Sequence, residues 1–220
     1  MATWVACIVE TKGRPDFWDT ARRMGVRPST DAVPAYALID CDCGLDFLAS
    51  IRLAGDLSRE LSTMCIGFVA QTNTDVHVMR TFVNGTAIRR VEYNREGGGW
   101  GIVDGEPQPW ERVYFFDEER SAGGNNWPDM LDDEISDEDR ARYEEAKRAG
   151  DPSAIIGLLH PYSLAPMWRV CEAFGIEEGD RPAGIWKKPS MWSRLRLRVS
   201  ASTPEAASSL QEGRGRTGSR

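Results

Sequence analysis

Two aspartates at the end of an apolar run are the residues whose types and spacing point most directly to chemistry. The segment from Ala35 to Gly44 reads as a buried strand that ends in Asp40 and Asp42. Ligand sites of open α/β sheets lie at the carboxyl ends of strands, where carboxylate oxygens can hold a hard cation such as Mg²⁺. Asp40 and Asp42 are therefore the candidate catalytic residues.

The pattern Asp40-Cys41-Asp42 after that strand resembles the first motif of the haloacid-dehalogenase-type phosphohydrolases. The resemblance implies that Asp40 is the nucleophile and that Asp42 is its acid or base. Thr72 follows an apolar strand, as the second motif of that family would. No later strand ends in an acidic pair with a lysine before it, so the Mg²⁺-dependent phosphohydrolase is an alternative hypothesis.

Two arginines in a predicted hairpin form a candidate anion site. A two-residue type I′ turn at Asn84-Gly85 would place Arg80 opposite Arg89 on an otherwise apolar face. Like charges directly opposite each other destabilise a sheet, so the two guanidiniums require an anion or access to solvent. An internal carboxylate is the simpler partner. An external ligand would make the chain an anion-sensing protein, which is a further alternative.

Acidic residues and loop tryptophans of the second half are candidate partner-binding groups. Residues 117–145 hold twelve carboxylates against three arginines, and Trp110 and Trp127 lie in loop sequences beside proline. Aromatic residues are enriched at interface hot spots, and complementary charge speeds association. The candidate partner-binding residues are Trp110, Trp127, Asp129, Asp132, Asp133 and Glu134.

The inventory of metal-ligating and nucleophilic residues is small. The chain has two histidines, five cysteines without a second metal-binding pair, and no G-x-S-x-G segment. An odd number of cysteines suits reduced thiols that are buried as small hydrophobes. We expect no metal site and no cofactor.

Composition limits the class of protein. A chain of 220 residues has room for one domain with a helical appendage, and its net charge of −7 disfavours a protein that coats DNA. The first residues lack the pattern of a secretory signal, and no apolar run approaches the ~18 residues that span a bilayer. We expect a bacterial, cytoplasmic protein without membrane insertion.

Hydrophobic periodicity predicts an α+β fold with a mixed or antiparallel sheet of about five to seven strands, flanking helices and a helical C-terminal portion. The predicted strands and helices occupy eleven segments. The strands are Trp4–Glu10, Ala35–Asp40, Cys65–Gln71, Val76–Val83, Thr86–Asn94 and Trp100–Val103, with an additional edge strand at Arg112–Phe116, and the helices are Pro15–Met24, Leu45–Leu61, Ala154–Leu159 and Ser163–Phe174. A capping box at Ser136–Asp139 predicts a further helix start.

Three regions follow from this pattern. Residues 1–116 form the α+β sheet domain, residues 117–199 form an acidic loop and helical portion packed on it, and residues 200–220 form a disordered tail. Among the function classes we favour a non-enzymatic binding protein of accessory or toxin-neutralising (immunity) type. It would bind a basic protein partner through the acidic residues and loop tryptophans.

Overall fold

The computed structural model describes residues 3–42, 44, 46–116, 130–131 and 135–187. They belong to one compact unit, Met1–Lys188, and Pro189–Arg220 form a second unit outside the described residues. The tail predicted at residues 200–220 lies in that second unit.

The described residues contain eight strands in a single sheet. In chain order they are β1 (Thr3–Glu10), β2 (Val26–Pro28), β3 (Tyr36–Asp42), β4 (Met64–Gln71), β5 (Val76–Val83), β6 (Thr86–Asn94), β7 (Gly99–Gly105) and β8 (Gly184–Lys187). Their order across the sheet is β2-β8-β3-β1-β4-β5-β6-β7. β8 runs parallel to β3, and every other neighbouring pair is antiparallel.

Five α-helices and one short 3₁₀ helix accompany the sheet in the described residues. They are α1 (Phe17–Arg23), α2 (Ala49–Leu61), α3 (Glu111–Phe115), α4 (Asp137–Ala149), α5 (Ala165–Ala173) and the 3₁₀ helix Ile156–Leu158. The α+β class with a mixed sheet is thus confirmed, whereas eight strands exceed the five to seven predicted.

The sheet has a core on each face, because successive side chains of a strand point to opposite sides. Cys7 and Val9 of β1 pack with Trp18 of α1 and Leu57 of α2. On the other face, residues of β1, β4, β5 and β6 pack with residues of α3, α4 and α5. These residues are Ala6, Ile8, Phe68, Met79, Val91, Tyr114, Tyr143, Met167 and Val170. Helices therefore cover both sides of the central strands.

Helix α2 approaches β4 closely at Gly67. A Cβ atom at Gly67 would lie 2.8 Å from both Ile51 Cα and the Ser50 carbonyl oxygen. Ser50 Oγ donates to the Phe68 carbonyl oxygen at 2.8 Å, which adds a polar contact between the two elements. The missing side chain at residue 67 thus sets the distance between helix and sheet.

Some predicted elements differ from the observed ones. The edge strand predicted at Arg112–Phe116 is wrong, because these residues overlap helix α3, which continues the turn begun by Trp110. The short strands β2 and β8 were not predicted. Since β8 pairs with β2 and β3, the sheet is not confined to residues 1–116.

Candidate functional site

The acidic segment from residue 117 to residue 145 is attached to the core at several places. Phe116, Met130, Leu131 and Tyr143 are buried in the same apolar cluster, and Ile135 packs against it. The backbone N–H of His160 donates to the Met130 carbonyl oxygen at 2.7 Å. Burial of these apolar side chains holds the described parts of the acidic segment against the sheet.

Helix α4 presents carboxylates to solvent. Its Tyr143 and Ala146 are buried, while Asp137, Glu138, Glu144 and Glu145 are exposed. Ser136 Oγ accepts from the Asp139 backbone N–H at 3.1 Å, which confirms the predicted helix start. Acidic residues in the first turn also interact favourably with the positive end of the helix dipole.

Most of the predicted partner-binding residues lie outside the part of the chain that the structure describes. These residues are Trp127, Asp129, Asp132, Asp133 and Glu134. Trp110, the remaining candidate, is only 4% exposed. Its Nε1 donates to Thr81 Oγ1 at 3.3 Å, so the ring belongs to the core beside β5.

Arg80 and Arg89 are not opposite each other, and that expectation is wrong. The pairing starts as predicted, with Val83 opposite Thr86 and Phe82 opposite Ala87, but the register shifts between Thr81 and Phe82. After this one-residue shift, Arg80 is opposite Arg90 and Arg89 is opposite Thr81. Arg80 and Arg89 therefore point to opposite faces of the sheet.

Arg80 and Arg89 each form an ion pair with a different carboxylate of the protein. Arg80 donates to Glu92 Oε1 through Nε at 3.0 Å and through Nη2 at 2.6 Å. Arg89 donates through Nε to Glu111 Oε1 at 2.8 Å and through Nη2 to Glu111 Oε2 at 2.6 Å. The structure therefore does not bring Arg80 and Arg89 together around a single anion.

Asp40 and Asp42 lie on the same face of β3 near its carboxyl end. Trp4 Nε1 donates to Asp40 Oδ1 at 3.0 Å, and Asp42 Oδ2 lies 3.0 Å from Lys187 Nζ. Burial raises the pKa of Asp40. Antiparallel β1 separates β3 from β4, the strand before Thr72. In the described residues no group of three or more His, Cys, Asp or Glu side chains could hold a metal ion.

Both histidines bind tyrosine hydroxyls, an arrangement that sequence reasoning missed. His77 Nδ1 lies 3.1 Å from the Tyr114 hydroxyl, and His160 Nδ1 lies 3.0 Å from that of Tyr93. His77 faces Tyr93 across the β5–β6 pair. Burial lowers the pKa of His77 to about 4. No sequence signal linked these residues, because the tyrosine partners lie 37 and 67 residues away.

Comparison with protein-family models, with curated proteins and with solved structures found no match. Among the helices of the described residues, none is long and apolar enough to cross a membrane.

Proposed function

We propose that this chain is a non-enzymatic binding protein of accessory or toxin-neutralising type that engages a basic protein partner through its acidic segment. The observation that carries the proposal is the attachment of that segment to the core. Two residues flank the acidic residues 132–134. Leu131 is buried in the core cluster, and Ile135 packs against it.

The net charge of the chain, −7, supports this proposal. Helix α4 adds the exposed carboxylates Asp137, Glu138, Glu144 and Glu145, although Arg140, Arg142, Lys147 and Arg148 nearly balance the five carboxylates of the helix. Net charge of one sign steers an oppositely charged partner and raises its association rate. Because Tyr143 and Ala146 hold α4 against the core, these carboxylates keep their positions before the partner arrives.

The partner is identified by co-purification with the tagged chain from its native host. We then expect Glu144→Lys combined with Glu145→Lys to slow association with the recovered protein about tenfold at low salt. The matched control is Glu60→Lys with Glu178→Lys, which makes the same change in net charge at exposed positions outside α4.

Salt provides the second test of the electrostatic contribution. The association rate of the unmodified chain should fall steeply between about 0.05 and 0.5 M salt, because screening shortens the range of charge interactions. Equal rates at both salt concentrations, or equal slowing by the control pair, would contradict the proposal. Recovery of acidic proteins alone would contradict the predicted class of partner.

A further inference from the structure

Asp40 is a half-buried carboxylate that no basic side chain of the described residues pairs with. Its hydrogen bond comes from a neutral group, the indole N–H of Trp4, at 3.0 Å. The neighbouring Asp42 differs, because Lys187 Nζ lies 3.0 Å from its Oδ2. A carboxylate that has lost part of its hydration and has no counter-charge gains more from a cation than a fully solvated one does.

Aromatic and aliphatic residues lie beside this carboxylate. Ile185 of β8 is directly opposite Asp40 in the parallel pair and is 37% exposed. Trp4 stacks on Trp168 of α5, with ring centroids 4.2 Å apart and an angle of 30° between the planes. The site thus combines a negative group with aromatic and aliphatic surface, which suits a cation that carries an apolar body.

Charged residues lie on three neighbouring elements. Arg27 of β2 is opposite Ile185 and is exposed, so one strand separates it from Asp40. Lys187 of β8 pairs with Asp42. On α5, Arg169 donates to the Val113 and Tyr114 carbonyl oxygens, and Glu172 follows Cys171, whose pKa Asp40 also raises. Each of these three cations therefore lies across a strand or already has an oxygen partner.

We propose that Asp40, Trp4 and Ile185 form a binding site for an organic ammonium group on a short apolar chain. The ammonium donates to the Asp40 carboxylate, and the alkyl part lies against Ile185 and the aromatic rings. A hard metal ion fits less well, because it requires about six oxygen ligands. The site is separate from the acidic surface of α4, and its test does not depend on that interface.

Two sources could supply this chemistry, a free alkylamine or the lysine side chain of a protein. The full-length chain is titrated with butylammonium chloride, with Nα-acetyl-lysine N-methylamide, and with 1-butanol as the uncharged control. Tryptophan fluorescence and calorimetry report binding. Saturable binding of butylammonium indicates a free amine, and binding of the lysine derivative alone indicates a protein lysine; both outcomes support the site.

The matched variants are Asp40→Asn and, as a control at an exposed carboxylate before β3, Asp31→Asn. Asparagine at position 40 can still accept from Trp4, so this variant tests the charge while keeping the hydrogen bond. We expect Asp40→Asn to weaken binding at least tenfold, and Asp31→Asn to change it less than about threefold. Equal binding by wild type and Asp40→Asn, binding of 1-butanol as tight as that of the amine, or no saturable binding of either amine overturns the proposal. Thermal unfolding confirms that both variants are folded.

Discussion

Arg89 and Glu111 form a buried, bidentate ion pair that joins β6 to the first turn of α3. The side chains are 6% and 4% exposed, and both Glu111 oxygens accept from the guanidinium. Arg89 Nη1 also donates to the Gly105 carbonyl oxygen at 2.6 Å, and Glu111 Oε1 accepts from the Gln108 backbone N–H at 2.7 Å. The pair therefore organises the whole connection from β7 to α3.

Removing one partner of this pair should destabilise the fold strongly. Arg89→Ala leaves the Glu111 charge buried without its counter-charge, so we expect the free energy of unfolding to fall by about 3–5 kcal/mol. Urea unfolding measures the loss. Arg89→Met combined with Glu111→Leu removes both charges and should recover much of it. A loss below about 1 kcal/mol in Arg89→Ala would show that the pair contributes little.

Gly105 is the second position in this connection where substitution should be costly. Its φ is +88°, and a Cβ atom there would overlap the Ile88 carbonyl oxygen. Gly98 has a similar φ of +93° with no atom within 4 Å of its Cβ position. We expect Gly98→Ala to cost about 1 kcal/mol and Gly105→Ala about 2 kcal/mol more, measured by urea unfolding. Equal losses would show that the backbone contact relaxes freely.

The buried His77 should make stability depend on pH. Burial lowers its pKa from 6.5 to about 4, so between these values the unfolded chain binds a proton that the folded chain does not. The free energy of unfolding should then decrease by about 3 kcal/mol as the pH falls from 6.5 to 4, with no further loss from this group below pH 4. Urea unfolding at each pH measures it.

The control for this pH dependence is His77→Gln, which cannot titrate. The difference in stability between the two proteins should shrink as the pH falls through that window. Burial raises the pKa of Asp40, which makes stability change with pH in the opposite direction, because here the folded protein binds a proton that the unfolded chain does not. Asp40 is present in both proteins, so its contribution cancels in the difference. A constant difference from pH 7 to pH 4 would contradict the assignment.

Three thiols should be protected from alkylation in the folded protein. Cys7, Cys65 and Cys171 are buried, and burial raises the pKa of all three, that of Cys171 to about 12. The thiolate is the reactive form, so iodoacetamide at pH 8 should modify these cysteines more slowly than the partly exposed Cys41. Peptide mass spectrometry measures each site, with the urea-unfolded chain as reference. Equal rates at Cys41 and Cys7 in the folded protein would contradict this.

Long, regular elements of this fold could be predicted from the sequence because their local patterns are strong. The strands Val76–Val83 and Thr86–Asn94 have the predicted bounds, since alternation on both sides of Asn84-Gly85 marks a hairpin. The three residues of β2 and the four of β8 provide too few positions for a periodic signal. Such short strands form because neighbouring strands offer hydrogen-bonding partners.

The candidate sites were harder to predict because they depend on the register of strand pairs and on distant partners. Because of the register shift between Thr81 and Phe82, Arg89 lies opposite Thr81 and binds Glu111. Glu111 is 22 residues further along the chain, so no local pattern links the two residues. Loop composition around Trp110 made it a candidate partner-binding residue, but the ring enters the core beside Thr81. The acidic helix at Ser136 followed from local capping chemistry, which needs no distant partner.

The position of β8 between β2 and β3 has a consequence for synthesis on the ribosome. β3 is synthesised early, but the strand that pairs with its outer edge consists of residues 184–187. The backbone hydrogen-bonding groups on that edge therefore have no strand partner until nearly the whole compact unit has been translated. A nascent chain exposes an open strand edge during this interval, which is a site where chains can associate wrongly. We expect chaperones to bind the nascent chain during this delay, and chains that end before residue 184 to give a lower yield of folded protein.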